Sequence, residues 1–211
     1  MTGPTTKPYR KGSTWPSSQR TPKAIGYCFM ENVPEETLES RYHYRGRVVA
    51  LRLDTVSLGE DATTLREIVE HGQSVVLVPV DWEGKVLLVR QFRKPVEDWL
   101  LEAPAGGLED GESAEACAQR ELREETGYQA GRLVRLGGFH ASPGYCTEFL
   151  HMFVALGLSA SPLTGDVDEA IEVVRLSWDE ALAQVRSEGI RDAKTLAALW
   201  MYSLWREGVP S

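Results

Sequence analysis

Between Gly106 and Tyr128 the chain reads GGLEDGESAEACAQRELREETGY, and this stretch constrains the fold more tightly than any other. Gly106, Gly107 and Gly111 mark a loop that needs permissive backbone, and Ser113 is placed to cap a helix. From Ala114 to Glu125 nothing interrupts a helix, and Gly127 stands where a C-terminal stop is expected. Within that helix Glu121, Glu124 and Glu125 fall at i, i+3 and i+4, on one face. Like charges at that spacing repel, weakly when exposed and more strongly where solvent is scarce. Arg120 and Arg123 relieve only part of the repulsion. A crowd of hard carboxylate oxygens that is unfavourable alone suits Mg²⁺ or Mn²⁺. A solvated acidic helix face is the plainer reading, and the glycine loop and fixed spacing weigh against it.

Composition then bounds the rest. A chain of 211 residues with 42% hydrophobic content can bury one sizeable core, with room for a small extra lobe. The net charge is −8, yet residues 1–30 hold Lys7, Arg10, Lys11, Arg20 and Lys23 and no acid, so the remainder is more acidic still. Such a body is a poor partner for nucleic acid. The basic leader is rich in Thr, Pro, Ser and Gly without apolar periodicity, which predicts a disordered tail. It lacks the apolar core of a signal peptide, and no 18-residue apolar run exists, so no membrane partner is expected. Cys28, Cys117 and Cys146 form no CxxC pair, which points to a reducing cytoplasm and away from structural zinc.

Along the chain, three segments emerge: a leader at 1–30, an N-terminal β lobe at 31–70, and a catalytic domain at 71–211. Arg41–Val69 reads as a small antiparallel lobe, with Val49, Leu51 and Leu53 alternating against polar neighbours and a turn at Gly59-Glu60-Asp61. Ser74–Val80 and Lys85–Phe92 are apolar strands joined as a hairpin through Asp81-Trp82-Glu83-Gly84. Trp99–Ala103, Arg132–His140, Glu148–Leu156 and Ile171–Leu176 complete the strands, with a turn at Ser142-Pro143-Gly144. Ser177 and Glu180 form a capping box, and Asp192 caps a last helix with a stripe of Leu196, Leu199, Trp200 and Leu204. Cys117 is expected as a small buried filler. His140, His151, Trp205, Tyr42 and Tyr44 are expected in packing roles.

The glycine-to-tyrosine stretch resembles the Nudix box, Gly-x5-Glu-x7-Arg-Glu-U-x-Glu-Glu-x-Gly-U with U bulky and apolar, with Tyr128 where an aliphatic is more usual. Strands interrupted by the acidic helix and followed by two more helices predict an α/β fold with a mixed sheet, and the resemblance implies the same: a Nudix-type α/β/α sandwich with a mixed sheet, beside the small antiparallel lobe. Val89-Arg90-Gln91-Phe92-Arg93 and Trp99–Gly106, with Pro143 falling 15 residues beyond Tyr128, resemble the ADP-ribose pyrophosphatase branch. So do Asp168–Val174 and Asp192-Ala193-Lys194-Thr195-Leu196, and the likeness covers residues 36 to 205.

The branch implies Mg²⁺-dependent hydrolysis of ADP-ribose to AMP and ribose 5-phosphate. Glu121 and Glu125 would be the principal metal ligands, with Glu124 and the main-chain carbonyl of Ala105 beside them. Glu112 and Arg120 would brace the loop at Gly106. Substrate-side residues would be Arg93, whose fork suits phosphoryl oxygens unless it is simply a surface strand arginine, and Pro143. Glu102 would either touch substrate or bond loop amides. A base for the attacking water would come from the acidic loop, Glu169 ahead of Asp168, with Val167 standing where a Glu is frequent; the alternative is that these are solvated loop charges and metal-bound water needs no protein base. The lobe implies a homodimer. Alternatives are a broader nucleoside-diphosphate-sugar pyrophosphatase and a non-catalytic nucleotide-sensing module, the latter disfavoured because every box acid is present.

Overall fold

The computed structural model of the chain describes residues 34–59, 62–163 and 171–208. The basic leader, Cys28, Glu60, Asp61 and the acidic loop with Asp168 and Glu169 lie outside them. Three strands come first, β1 (Glu36–Arg45), β2 (Val49–Gly59) and β3 (Ala62–His71), paired antiparallel in that order. They form a sheet of their own. Its last strand meets the following body through main-chain bonds from Val69 N to Tyr145 O at 2.8 Å and from Thr147 N to Val69 O at 3.0 Å.

Strand β4 (Ser74–Pro79) is apolar without alternation, which suits a strand covered on both faces, and all of it is buried. Its side chains divide by parity. Val75 and Leu77 pack on Cys117, Ala118 and Leu122 of helix α1 (Ala114–Thr126), while Val76 and Val78 face the opposite layer. Strands β5 (Val86–Arg93), β6 (Asp98–Glu102), β7 (Ala105–Gly107), β8 (Tyr128–His140), β9 (Phe149–Ala160) and β10 (Ile171–Leu176) complete two further sheets. One runs β7-β4-β9-β8, with β4 and β9 parallel and the other pairs antiparallel; the second runs β10-β5-β6. On the side away from α1, Val86 and Leu88 of β5 join Met152 and Val154 of β9, together with Ala181 of α2 (Trp178–Arg186) and Leu199 of α3 (Ala193–Arg206). The expected mixed α/β architecture is therefore present.

Four expectations change in detail. The turn at Asp81 exists, with Asp81 Oδ1 accepting from Glu83 N at 2.8 Å and Lys85 N at 2.9 Å. Beyond one bridge between Val80 and Val86, however, β4 and β5 part into different sheets. Distant partners, β9 for β4 and β10 for β5, decide the pairing, and no local signal reports them. Strands β8 and β9 each run four residues further than the apolar pattern suggests. A Cβ on Gly131 would lie 3.2 Å from Gly157 O, so bare backbones pass closely where side chains would have marked the strand. Tyr42 and Tyr44, expected in packing roles, lie on β1 and are exposed, since none of that strand is covered. Helix α3, finally, buries Thr195, Ala198, Leu199 and Tyr202, leaving Leu196, Trp200 and Leu204 on an exposed side. Small Thr195 and Ala198 permit close approach to the sheet, and Trp200 does not.

Candidate active site

Helix α1 begins where Ser113 Oγ accepts from Ala116 N at 3.2 Å and ends at Gly127, whose φ of 77° is left-handed. Leu122 and Cys117 anchor its buried face, burial of a leucine contributing roughly 1.5–3 kcal/mol. This fixes the rotation of the helix and turns Glu121 and Glu125 toward β7. A Cβ added to Gly106 would sit 2.0 Å from the Glu121 carboxylate, so the glycine leaves the space that this carboxylate fills. Glu125 Oε2 accepts from Ala105 N at 3.1 Å. The loop strand and the acidic helix face thus meet at Ala105-Gly106.

Arg120 runs through this cluster. Its guanidinium donates to Glu112 at 3.1 and 2.9 Å, to Gly107 O at 2.9 Å, to Glu121 at 2.6 Å and to Glu124 at 3.1 Å. The bond to Glu112 raises the arginine's pKa, and the same bond holds the Glu112 carboxyl below its ordinary value. The expected Glu112–Arg120 brace is therefore one arm of a wider network that relieves the Glu121–Glu124 repulsion. Among the described residues no three His, Cys, Asp or Glu side chains are drawn together as a metal nest. The donor chemistry nevertheless fits a hard divalent cation. Several carboxylates lie beside a glycine cradle, and the thiol of Cys117 is pushed up to about 12 by burial and then by Glu112, which makes it a poor ligand.

Ala105, Gly106 and Gly107 line a cavity of about 600 Å³, whose other walls include Arg93, Glu148, Asp192 and Lys194. Arg93 is held by Glu102, through Nε at 2.9 Å and Nη2 at 2.8 Å. Glu102 is only 1% exposed, and Lys194 Nζ also donates to its Oε2. Burial works to raise the Glu102 pKa, but the bond from Arg93 and the charge of Lys194 prevail and hold it below the usual carboxylate value. Lys194 reaches Asp192 as well, at 3.0 Å. Thr195 Oγ1 accepts from Ala103 N at 2.7 Å, tying the start of α3 to the strand that delivers Ala105.

A family model for the NUDIX domain matches residues 70–199. The chain belongs to the Nudix family. It is 40% identical over 172 residues to an ADP-ribose pyrophosphatase of Bacillus subtilis (strain 168), covering 81% of this chain and 93% of that one. A methanol dehydrogenase activator of Bacillus methanolicus is 40% identical over 167 residues, covering 78% and 90%. A GDP-mannose pyrophosphatase of Yersinia enterocolitica is 34% identical over 179 residues, covering 81% and 93%. A solved structure described as an ADP compounds hydrolase shares the fold, with a TM-score of 0.74 at 23% identity over 83% of this chain and 97% of that one.

The Nudix box residues expected from the sequence, Gly106, Glu112, Arg120, Glu121, Glu124 and Glu125, are brought together with Ala105. Arg93 reaches the cavity, but bound to Glu102. Among the described residues Glu102, 1% exposed, bonds Arg93 and Lys194. Pro143 is exposed, and its neighbour Ser142 is the residue that lines the cavity. His151 is packed between Gln73 at 2.6 Å and Arg135 at 2.8 Å, and His140 meets Phe149 edge to face. Residues given no site role from the sequence are Lys194, quoted only within the branch resemblance, and the Ser74–Glu148 pair, joined at 2.9 Å. Lys194 did carry a signal: a cation in the first turn of a helix opposes the helix dipole, so it calls for a tertiary partner.

Proposed function

We propose that this Nudix protein hydrolyses the diphosphate of ADP-ribose, with Mg²⁺ and alternatively Mn²⁺ as the metal. The observation that carries the reading is the meeting of Glu121 and Glu125 with the Ala105-Gly106 backbone on the wall of a cavity that also holds Arg93. The likeness to the B. subtilis ADP-ribose pyrophosphatase supports the substrate. One water is consumed: its oxygen bonds to one phosphorus, the bridging P–O bond breaks, and AMP and ribose 5-phosphate leave.

Glu121, Glu124 and Glu125, with the carbonyl of Ala105, would hold the divalent ion. When bound, such an ion neutralises phosphate oxygens and acidifies a bound water. Arg93, pre-set by Glu102, orients the diphosphate, and Arg120 with Glu112 keeps the loop against the helix. Removal of the proton from water is assigned to Glu169, ahead of Asp168 for its longer reach. Support comes from the sequence and from Ile171, the first described residue after that loop, which pairs with Gln91, two residues before Arg93. We place the enzyme in the cytoplasm as a homodimer. Cys117 and Cys146 are free thiols, and among the described residues no helix is long and apolar enough to cross a membrane.

The GDP-mannose pyrophosphatase relative favours a second reading, a broader nucleoside-diphosphate-sugar pyrophosphatase. Assays with Mg²⁺ on ADP-ribose, ADP-glucose, GDP-mannose, NADH and diadenosine polyphosphates decide between them. ADP-ribose should lead in kcat/KM by at least about tenfold. Comparable turnover of GDP-mannose would establish the broader activity, and no turnover of any of them would leave a sensing module. The same assay on Glu169→Gln and Asp168→Asn tests the base, whose loss should cost about a hundredfold in kcat.

A further inference from the structure

Ala103-Pro104-Ala105 is the corner that carries the chain from β6 into the box loop, and its polar groups are held from three directions. Pro104 O accepts from Leu77 N of β4 at 2.8 Å, and Ala105 N donates to Glu125 of α1 at 3.1 Å. Ala103 N finds its acceptor outside both, in the Thr195 hydroxyl of α3 at 2.7 Å. That hydroxyl in turn donates to Asp192 Oδ2 at 2.5 Å, so amide, hydroxyl and carboxylate form one directed chain. Thr195 is 0% exposed and Ala103 1%, so bulk water does not compete for these bonds. Helix α3 has no use of its own for the hydroxyl. Asp192 already caps the helix by accepting from Thr195 N at 3.0 Å, and a valine at 195 would leave that cap in place. Glu102, the residue before the clasp, is held separately by Arg93 and Lys194. Ala105, by contrast, opens a strand of only three residues.

We propose that Thr195 is a positioning residue for the metal: by clasping the Ala103 amide it fixes the corner that presents the Ala105 carbonyl beside Glu121 and Glu125. The inference rests on the metal reading above. The ring of Pro104 locks one torsion between the clasp and Ala105, so the hold on Ala103 is passed along the chain with little slack. Thr195 therefore acts on retention of the ion and is indifferent to the base and the sugar.

Mn²⁺ binding to the full chain without nucleotide, followed by electron paramagnetic resonance, tests this. Thr195→Val, which keeps the shape and removes the hydroxyl, should weaken Mn²⁺ about tenfold or more, and Thr195→Ser should stay within about twofold of wild type. In turnover of ADP-ribose the Mg²⁺ concentration for half-maximal rate should rise in step with Thr195→Val, while KM at saturating Mg²⁺ stays within about threefold. If Thr195→Val does not fold, hydrogen exchange on the wild type takes its place. By reciprocity, Mg²⁺ should slow exchange of the Ala103 amide at least about threefold more than that of Val154 in β9. Unchanged Mn²⁺ affinity in Thr195→Val, an equal loss in Thr195→Ser, a KM that rises as far as the Mg²⁺ requirement, or no extra slowing at Ala103 overturns the proposal. A wild-type chain that binds no Mn²⁺ would overturn the metal reading itself, and the role of Thr195 with it.

Discussion

Gly106 and Glu121 are far apart in the chain and meet because α1 is rotated by its buried residues until the carboxylate fills the space a side chain would occupy. The group displaced by a methyl at Gly106 would be the far end of a flexible glutamate, and the backbone there has no left-handed φ. Gly106→Ala should therefore melt within a few degrees of wild type yet lose at least about tenfold in kcat/KM, because the carboxylate is moved by ångströms. On the proposed ligand set, Glu125→Gln would remove a charged metal ligand and should cost about a hundredfold or more in kcat at saturating Mg²⁺. Calorimetric melting and steady-state kinetics on the two variants check both. Near-normal turnover of Glu125→Gln would remove Glu125 from the ligand set.

Helix α3 shows how an element with apolar residues on two sides chooses its buried face. Leu199 and Ala198 join the core, Thr195 caps the amide of Ala103, and Trp200 stands 66% exposed. Leu199→Ala should cost roughly 2–5 kcal/mol of stability. Trp200→Ala should stay within about 0.5 kcal/mol, despite removing the larger side chain. Urea titration of both variants distinguishes them, and a large loss at Trp200 would mean that this face is covered by a partner. The same helix carries Lys194 and Asp192 into the cavity, so its docking also sets the cation side of the site.

For the molecule as a whole, the exposed lobe is the feature that asks for a partner. All ten residues of β1 are exposed, and Leu38, Tyr44 and Leu65 exceed half exposure. A three-stranded sheet alone is marginal, so covering it with a second copy would both stabilise it and complete the assembly. Light scattering at micromolar concentration should give a dimer mass. A fully active monomer under those conditions would refute the homodimer.

The helix of the box, its Ser113 and Gly127 caps, the Ser177 capping box and the one-sided glutamates were legible because each depends on residues within one or two turns. The mixed α/β class followed from the same local signals. The parting of β4 from β5 was not legible, since each strand takes its partners from elsewhere in the chain. Nor was the true inner face of α3, where apolar residues on two sides offered a choice that only close packing resolves. The identity of Glu102 as a buried anchor was hidden for the same reason. Its two cations come from β5 and α3, and a carboxylate's role is set by what folding brings within hydrogen-bond reach.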